Sequence, residues 1–177
     1  MIGTWAVAGS CLTVSGKVDL TLLGVGCESA TTTGSLQVSG TFTVYSDGNV
    51  VSDRTTTTGE AQLDFPPDCL NVSGATISCD QMAMAIAPLG YAEATCVDSA
   101  GTCTCLATVD QTGQMALVAA SAMKNGTYST ANEVLTIMYD ETATDYPYCV
   151  AESTLTVSLK SPRSTGMVTG TIVLQKQ

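Results

Sequence analysis

The chain has 177 residues, 45% of them hydrophobic and 12% charged, with a net charge of −10. That length suits a single domain with its own core. Six scattered Lys and Arg residues exclude the clustered cations that phosphate binding needs, and with them a nucleic-acid partner.

Apolar and polar residues alternate along most of the chain, and Thr, Ser and Gly are abundant. Period two means pleated strands with one face buried, so the spacing predicts antiparallel β-structure built from hairpins. Residues 3–14 form the first strand and residues 17–23 a second, stopped by Gly24-Val25-Gly26. Leu36, Val38, Thr41, Thr43 and Tyr45 carry a strand into Ser46-Asp47-Gly48-Asn49, where Asp-Gly between alternating runs is a strong hairpin signal. The return strand covers residues 50–58, and after Gly59 a short strand covers residues 60–65, stopped by Pro66-Pro67.

The texture then changes. Residues 80–87 read as the one helix: Ser78 or Asp80 can cap it, Ala and Met favour it, and Pro88 with Gly90 closes it. Strands over residues 91–97 and 102–110 flank a turn at residues 98–101. Residues 114–123 suit either a strand or a short helix. After Asn125-Gly126 come strands around residues 126–128, 134–139, 146–150 and 155–159. Residues 161–166 form a loop, and residues 167–174 the closing strand. About ten strands with short connections make a meander, and no linker divides it.

Eight cysteines without a histidine read as four disulfides, hence an oxidising compartment. Zinc sites usually show C-x₂₋₄-C knuckles, and the one close pair here is Cys103-Thr104-Cys105. Those two share a strand face about 6.5–7 Å apart, beyond or at the edge of disulfide reach, so they are expected to bond to different partners. Cys96, across a turn, meets one of them and Cys149 the other. Cys69 and Cys79 flank the Val72-Ser73-Gly74 turn and close on each other, which leaves Cys11 with Cys27.

Three patterns resemble the lipocalin-like (calycin-type) barrels: Gly3-Thr4-Trp5; Gly126-Thr127-Tyr128 followed by Leu135-Thr136-Ile137; and Tyr148-Cys149-Val150 followed by Thr154-Leu155-Thr156-Val157. The cysteine pattern is similar to exported bacterial proteins that pair such barrels with disulfides. The resemblance implies an up-and-down barrel with Trp5 plugging one end. It also implies a basic residue packed on that Trp, for which Lys176 or Arg163 is available. The resemblance covers residues 126–174 best. Residues 68–105 form a cysteine-bearing insertion, with the short helix, in a single domain of residues 1–177.

Catalytic chemistry is poorly supplied, since without His no Ser-His-Asp or Cys-His set exists. Asp140, Glu141 and Asp145 flank a turn, which makes them solvated hairpin residues. Asp47-Gly48-Asn49 with Asp53 offers oxygen ligands but lacks the twelve-residue EF-hand spacing, so no metal and no cofactor is expected. Met82, Met84 and Met123 suit core packing of the helix on the sheet. Asn71-Val72-Ser73 and Asn125-Gly126-Thr127 are glycosylation sequons, and in a bacterial protein simply turns. Residues 1–5 run straight into a strand with no basic and apolar leader pattern. The longest apolar patch, residues 82–89, is too short to cross a bilayer.

The resulting expectation is a secreted or cell-surface barrel (periplasmic, outer-surface or extracellular) without catalysis. It would bind a small apolar ligand in a cavity lined by Leu36, Val38, Leu135, Ile137, Tyr148 and Val157. The alternative is a structural or adhesive subunit that self-associates into filaments through edge or terminal strands.

Overall fold

The computed structural model describes residues 1–19, 27–72, 74–116, 118, 122–163 and 166–177. In chain order the elements are β1 (Gly3–Lys17), β2 (Thr31–Val44), β3 (Val50–Phe65), β4 (Asn71–Val72), β5 (Ala75–Thr76), α1 (Cys79–Ile86), β6 (Glu93–Ser99), β7 (Thr102–Thr112), β8 (Asn125–Ala131), β9 (Val134–Tyr139), β10 (Thr142–Ala151), β11 (Thr154–Arg163) and β12 (Gly166–Lys176). Eight strands close a ring in the order β1, β2, β3, β8, β9, β10, β11, β12, each antiparallel to the next, with β12 returning to β1. This is an up-and-down antiparallel barrel. The remaining long strands, β7 and β6, extend the same sheet outward from β3. Ten strands therefore share one sheet, as the hairpin count implies, but eight of them make the barrel.

The hairpins close on residues that tolerate left-handed backbone. Asn132 (φ 50°) and Glu133 (φ 60°) join β8 to β9, the pair of positive angles a type I′ turn requires. Gly48 (φ 68°) and Asn49 (φ 52°) do the same between β2 and β3, where Tyr45 N–H donates to Val50 O at 3.0 Å. Gly59 does not split the return strand as its sequence suggests. β3 runs unbroken through it, because β2 passes so close that a Cβ at Gly59 would collide with the Ser35 carbonyl. The loop expected at residues 161–166 is also mostly strand, since β11 continues to Arg163 and β12 begins at Gly166. The strand expected at residues 17–23 lies largely outside the described residues.

α1 forms where its composition predicts. Ser78 caps it through a capping box, its hydroxyl accepting from Gln81 N–H while the Gln81 side chain accepts from Ser78 N–H. A single 3₁₀ turn (Ala87–Leu89) and left-handed Gly90 (φ 98°) end it. Met82 and Ile86 are buried, whereas Met84 points outward and is 72% exposed. Two turns of helix are marginal alone, and α1 persists because that face packs on β6 and, less extensively, on β7.

The barrel interior is mostly apolar, with a few buried polar side chains such as Asp53, Thr55 and Thr57. Trp5, Leu12, Val14, Phe42, Leu155, Leu159, Val168, Ile172 and Leu174 are buried. The outward positions carry Thr pairs such as Thr4 with Thr43 and Thr13 with Thr169. A lipid-spanning barrel has the reverse pattern. Trp5 sits against the closing seam, its Nε1 donating to Met1 O at 2.7 Å. Lys176 Nζ lies 5.8 Å from the centre of the Trp5 ring, within cation–π range. Of the two basic residues anticipated for that position, Lys176 occupies it. The Arg163 side chain lies outside the described residues.

Candidate functional site

β3 changes partners partway along one edge. Residues 50–52 pair with β8 and residues 56–65 with β7, leaving residues 53–55 without a strand on that side. A loop of the chain fills this gap. Asp53 N–H donates to Lys124 O at 2.6 Å, and Gly113 N–H donates to Thr55 O at 2.8 Å. Residues 113–116 then turn into the barrel, where Met115 and Ala116 are fully buried. Gln114 and Ala116 both adopt positive φ, 47° and 62°, which costs energy for non-glycine residues and persists only where other bonds enforce it.

Those bonds converge on Asp53, which is 0% exposed. One of its oxygens accepts from Thr55 N–H at 3.0 Å and from Thr55 Oγ1 at 2.7 Å. The other accepts from Met115 N–H at 2.7 Å and from Tyr139 Oη at 2.9 Å. Ala116 N–H donates to Thr57 Oγ1 at 3.1 Å, and Tyr146 Oη donates to Met115 O at 3.3 Å. Burial pushes the Asp53 carboxyl above its ordinary value of 3.8, although its hydrogen bonds from Thr55, Met115 N–H and Tyr139 pull it down. Burial and the neighbouring Asp53 charge push the Tyr139 hydroxyl well above its usual range, so Tyr139 remains a donor. The arrangement anchors a plug, and a sealed carboxylate offers no approach to a reacting group. Asp53 does not join Asp47-Gly48-Asn49 in one set of oxygen ligands: Asp47 lies on the exposed turn, while both Asp53 oxygens are buried and accept from Thr55, Met115 N–H and Tyr139. The signal that the sequence reading missed is parity: Asp53 shares a strand face with Val51 and Thr55, and all three are buried.

The six residues expected to line a cavity are placed as follows. Leu36, Val38, Leu135, Ile137 and Val157 are 0–6% exposed, and Tyr148 is half-buried against the core. Side chains this inaccessible have almost no water-sized space beside them. The five belong with Phe42, Tyr146 and Met115 to the buried apolar core, against which Tyr148 packs. Asp140, Glu141 and Asp145 lie on an exposed hairpin, with Thr136 Oγ1 donating to Asp145 at 2.6 Å.

An open cleft of about 440 Å³ lies where the segment after α1 meets the end of β7, walled by Tyr91, Asp110, Gln111, Thr112 and Lys124 among others. Tyr91 is 8% exposed, and its hydroxyl has no hydrogen-bond partner among the described residues. Burial raises its pKa, which keeps it neutral and able to donate.

The cysteines form three disulfides: Cys27–Cys69, Cys79–Cys103 and Cys96–Cys105. Cys103 and Cys105 do take different partners, and Cys96 meets Cys105 directly across the β6–β7 ladder. The expected Cys69–Cys79, Cys11–Cys27 and Cys149 bridges are absent. Cys11 and Cys149 are free and exposed. Register explains this: Cys11 on β1 faces β12, and Cys149 on β10 faces β11, so two strands stand between them. At about 4.8 Å per strand that separation is about 14 Å, twice the Cα span a disulfide allows. Native protein should therefore react with Ellman's reagent at two thiols per chain, and a C11S/C149S variant at none. No protein-family model matches the chain, and neither does any curated protein or solved structure.

Proposed function

We propose that the chain is an exported, non-catalytic, lipocalin-like barrel that serves as a structural or adhesive module at or beyond the cell surface, acting through its exterior. The observation that supports this reading is the burial of Leu36, Val38, Leu135, Ile137 and Val157, which leaves little accessible surface on the inward face of the strands. The loop anchored by Asp53 fills the gap in the wall. Three disulfides fit an oxidising compartment. Among the described residues no helix is long and apolar enough to cross a membrane. Self-association has a physical basis in β6, the outer strand of the ten-stranded sheet, whose far edge is open to another strand among the described residues.

Trp5, the one tryptophan, reports on the lumen. Titration with a fluorescent fatty-acid analogue should leave its emission unchanged. A saturable shift at one ligand per chain would restore the apolar-carrier reading. A second reading, that the cleft beside Tyr91 takes a small polar ligand, is favoured by the Tyr91 hydroxyl in its wall, which has no hydrogen-bond partner among the described residues.

A further inference from the structure

Four cysteine sulfurs meet where α1 packs on β6 and β7. The ladder sets Cys96 opposite Cys105, and the i,i+2 spacing puts Cys103 on the same face of β7. The first residue of α1, Cys79, is bonded to Cys103. The sulfurs of Cys96, Cys103 and Cys105 all lie within 4.8 Å of one another, and all four residues are buried. A tetrahedral thiolate centre has metal–sulfur bonds of about 2.3 Å, hence sulfur–sulfur edges of about 3.8 Å, so three of the sulfurs lie within reach of one such shell and the fourth, that of Cys79, is bonded to one of them. Sequence spacing hides the arrangement, because no C-x₂₋₄-C knuckle is needed when a helix and two strands each supply ligands.

We infer that the same four sulfurs, once reduced, form a closed tetrathiolate site for Zn²⁺ or another thiophilic divalent cation, so that metal and the two disulfides are alternative fastenings of α1 to the sheet. Each disulfide takes two electrons and two protons from a dithiol reductant, which leaves as its own disulfide. The four resulting thiols release four protons as they bind the cation. With all four positions filled by protein, the ion fastens the helix and leaves no open coordination position for substrate. Cys27 and Cys69 are bonded to each other elsewhere, and Cys11 and Cys149 lie on the outer wall.

The test uses the full chain carrying C11S/C149S, reduced with a phosphine and titrated with Co²⁺. The expected result is one Co²⁺ per chain, with sulfur-to-cobalt charge transfer in the near ultraviolet, strong tetrahedral visible bands, and displacement by Zn²⁺. Adding C79S or C96S should abolish or shift those bands, and the unreduced protein should show none. Absence of the bands after reduction overturns the inference. So do bands that survive unchanged in C79S or C96S, or in a variant with all four cysteines replaced.

Discussion

Replacing Asp53 with alanine should lower stability by about 3–5 kcal/mol, because it leaves several buried donors unpaired at once. Thr55, Met115 N–H and Tyr139 Oη all lose their acceptor, and the positive-φ turn at residues 114–116 loses the bonds that enforce it. For a domain of this size the change corresponds to a fall of about 10 °C in the midpoint of thermal unfolding. D53N keeps one acceptor oxygen and should cost less, about 1–3 kcal/mol. The pH dependence distinguishes the carboxylate from a merely polar group. Burial holds the folded-state pKa of Asp53 above the ordinary 3.8. An acid shifted in that direction contributes stability that is fully present below its unfolded value and is lost as pH rises through its folded value. Asn does not titrate, so the advantage of the native chain over D53N should be largest in acid and shrink as pH rises. Denaturant unfolding of both proteins across the acid-to-neutral range measures it. An advantage that grows with pH would show that the hydrogen bonds outweigh burial at this carboxylate.

Removing the disulfides one at a time should weaken the protein in the order of the loops they close. Cys27–Cys69 spans 42 residues, Cys79–Cys103 spans 24 and Cys96–Cys105 spans nine. Restricting the unfolded chain by loops of those sizes corresponds to about 4, 3.5 and 2.5 kcal/mol. Paired Cys→Ala variants, unfolded in guanidinium, should follow that ranking, with C27A/C69A the least stable. If C96A/C105A proved the most damaging, native packing around the four-sulfur cluster would matter more than unfolded-state entropy. Reductant added to the native chain should produce the combined loss.

The alternation that shows a period of two in the sequence shows it again in the barrel wall, because side-chain parity is a local property. Turn residues such as Asn49 and Asn132, and the cap Ser78, act within a few positions of themselves, so hairpins and helix were legible for the same reason. Partner choice was not. Nothing near Asp53 in the chain announces that β3 leaves β8 for β7 there, or that Met115, 62 residues later, brings its N–H to that carboxylate. The cysteine pairing failed on the same ground. Cys69 is close to Cys79 in sequence, yet α1 carries Cys79 over to β7, while the 3₁₀ turn at Pro67–Leu70 points Cys69 at Cys27. Leu36 and Ile137 are buried, as their alternation with polar neighbours implies. Whether an inward face bounds a void or a packed core depends on side chains from the opposite wall, which no single strand encodes.

β3 belongs both to the barrel wall and to the flap made by β7, β6 and α1, and it is bonded to β2 along nearly its whole length. A force applied to α1 passes through the β7 ladder into β3 and from there into the ring, without crossing a flexible joint. Drawn along the strands, those rungs are loaded in parallel and resist together, whereas a ladder peeled from its end gives way one rung at a time. A partner that grips α1 is thereby coupled mechanically to the barrel, with no swivel in between.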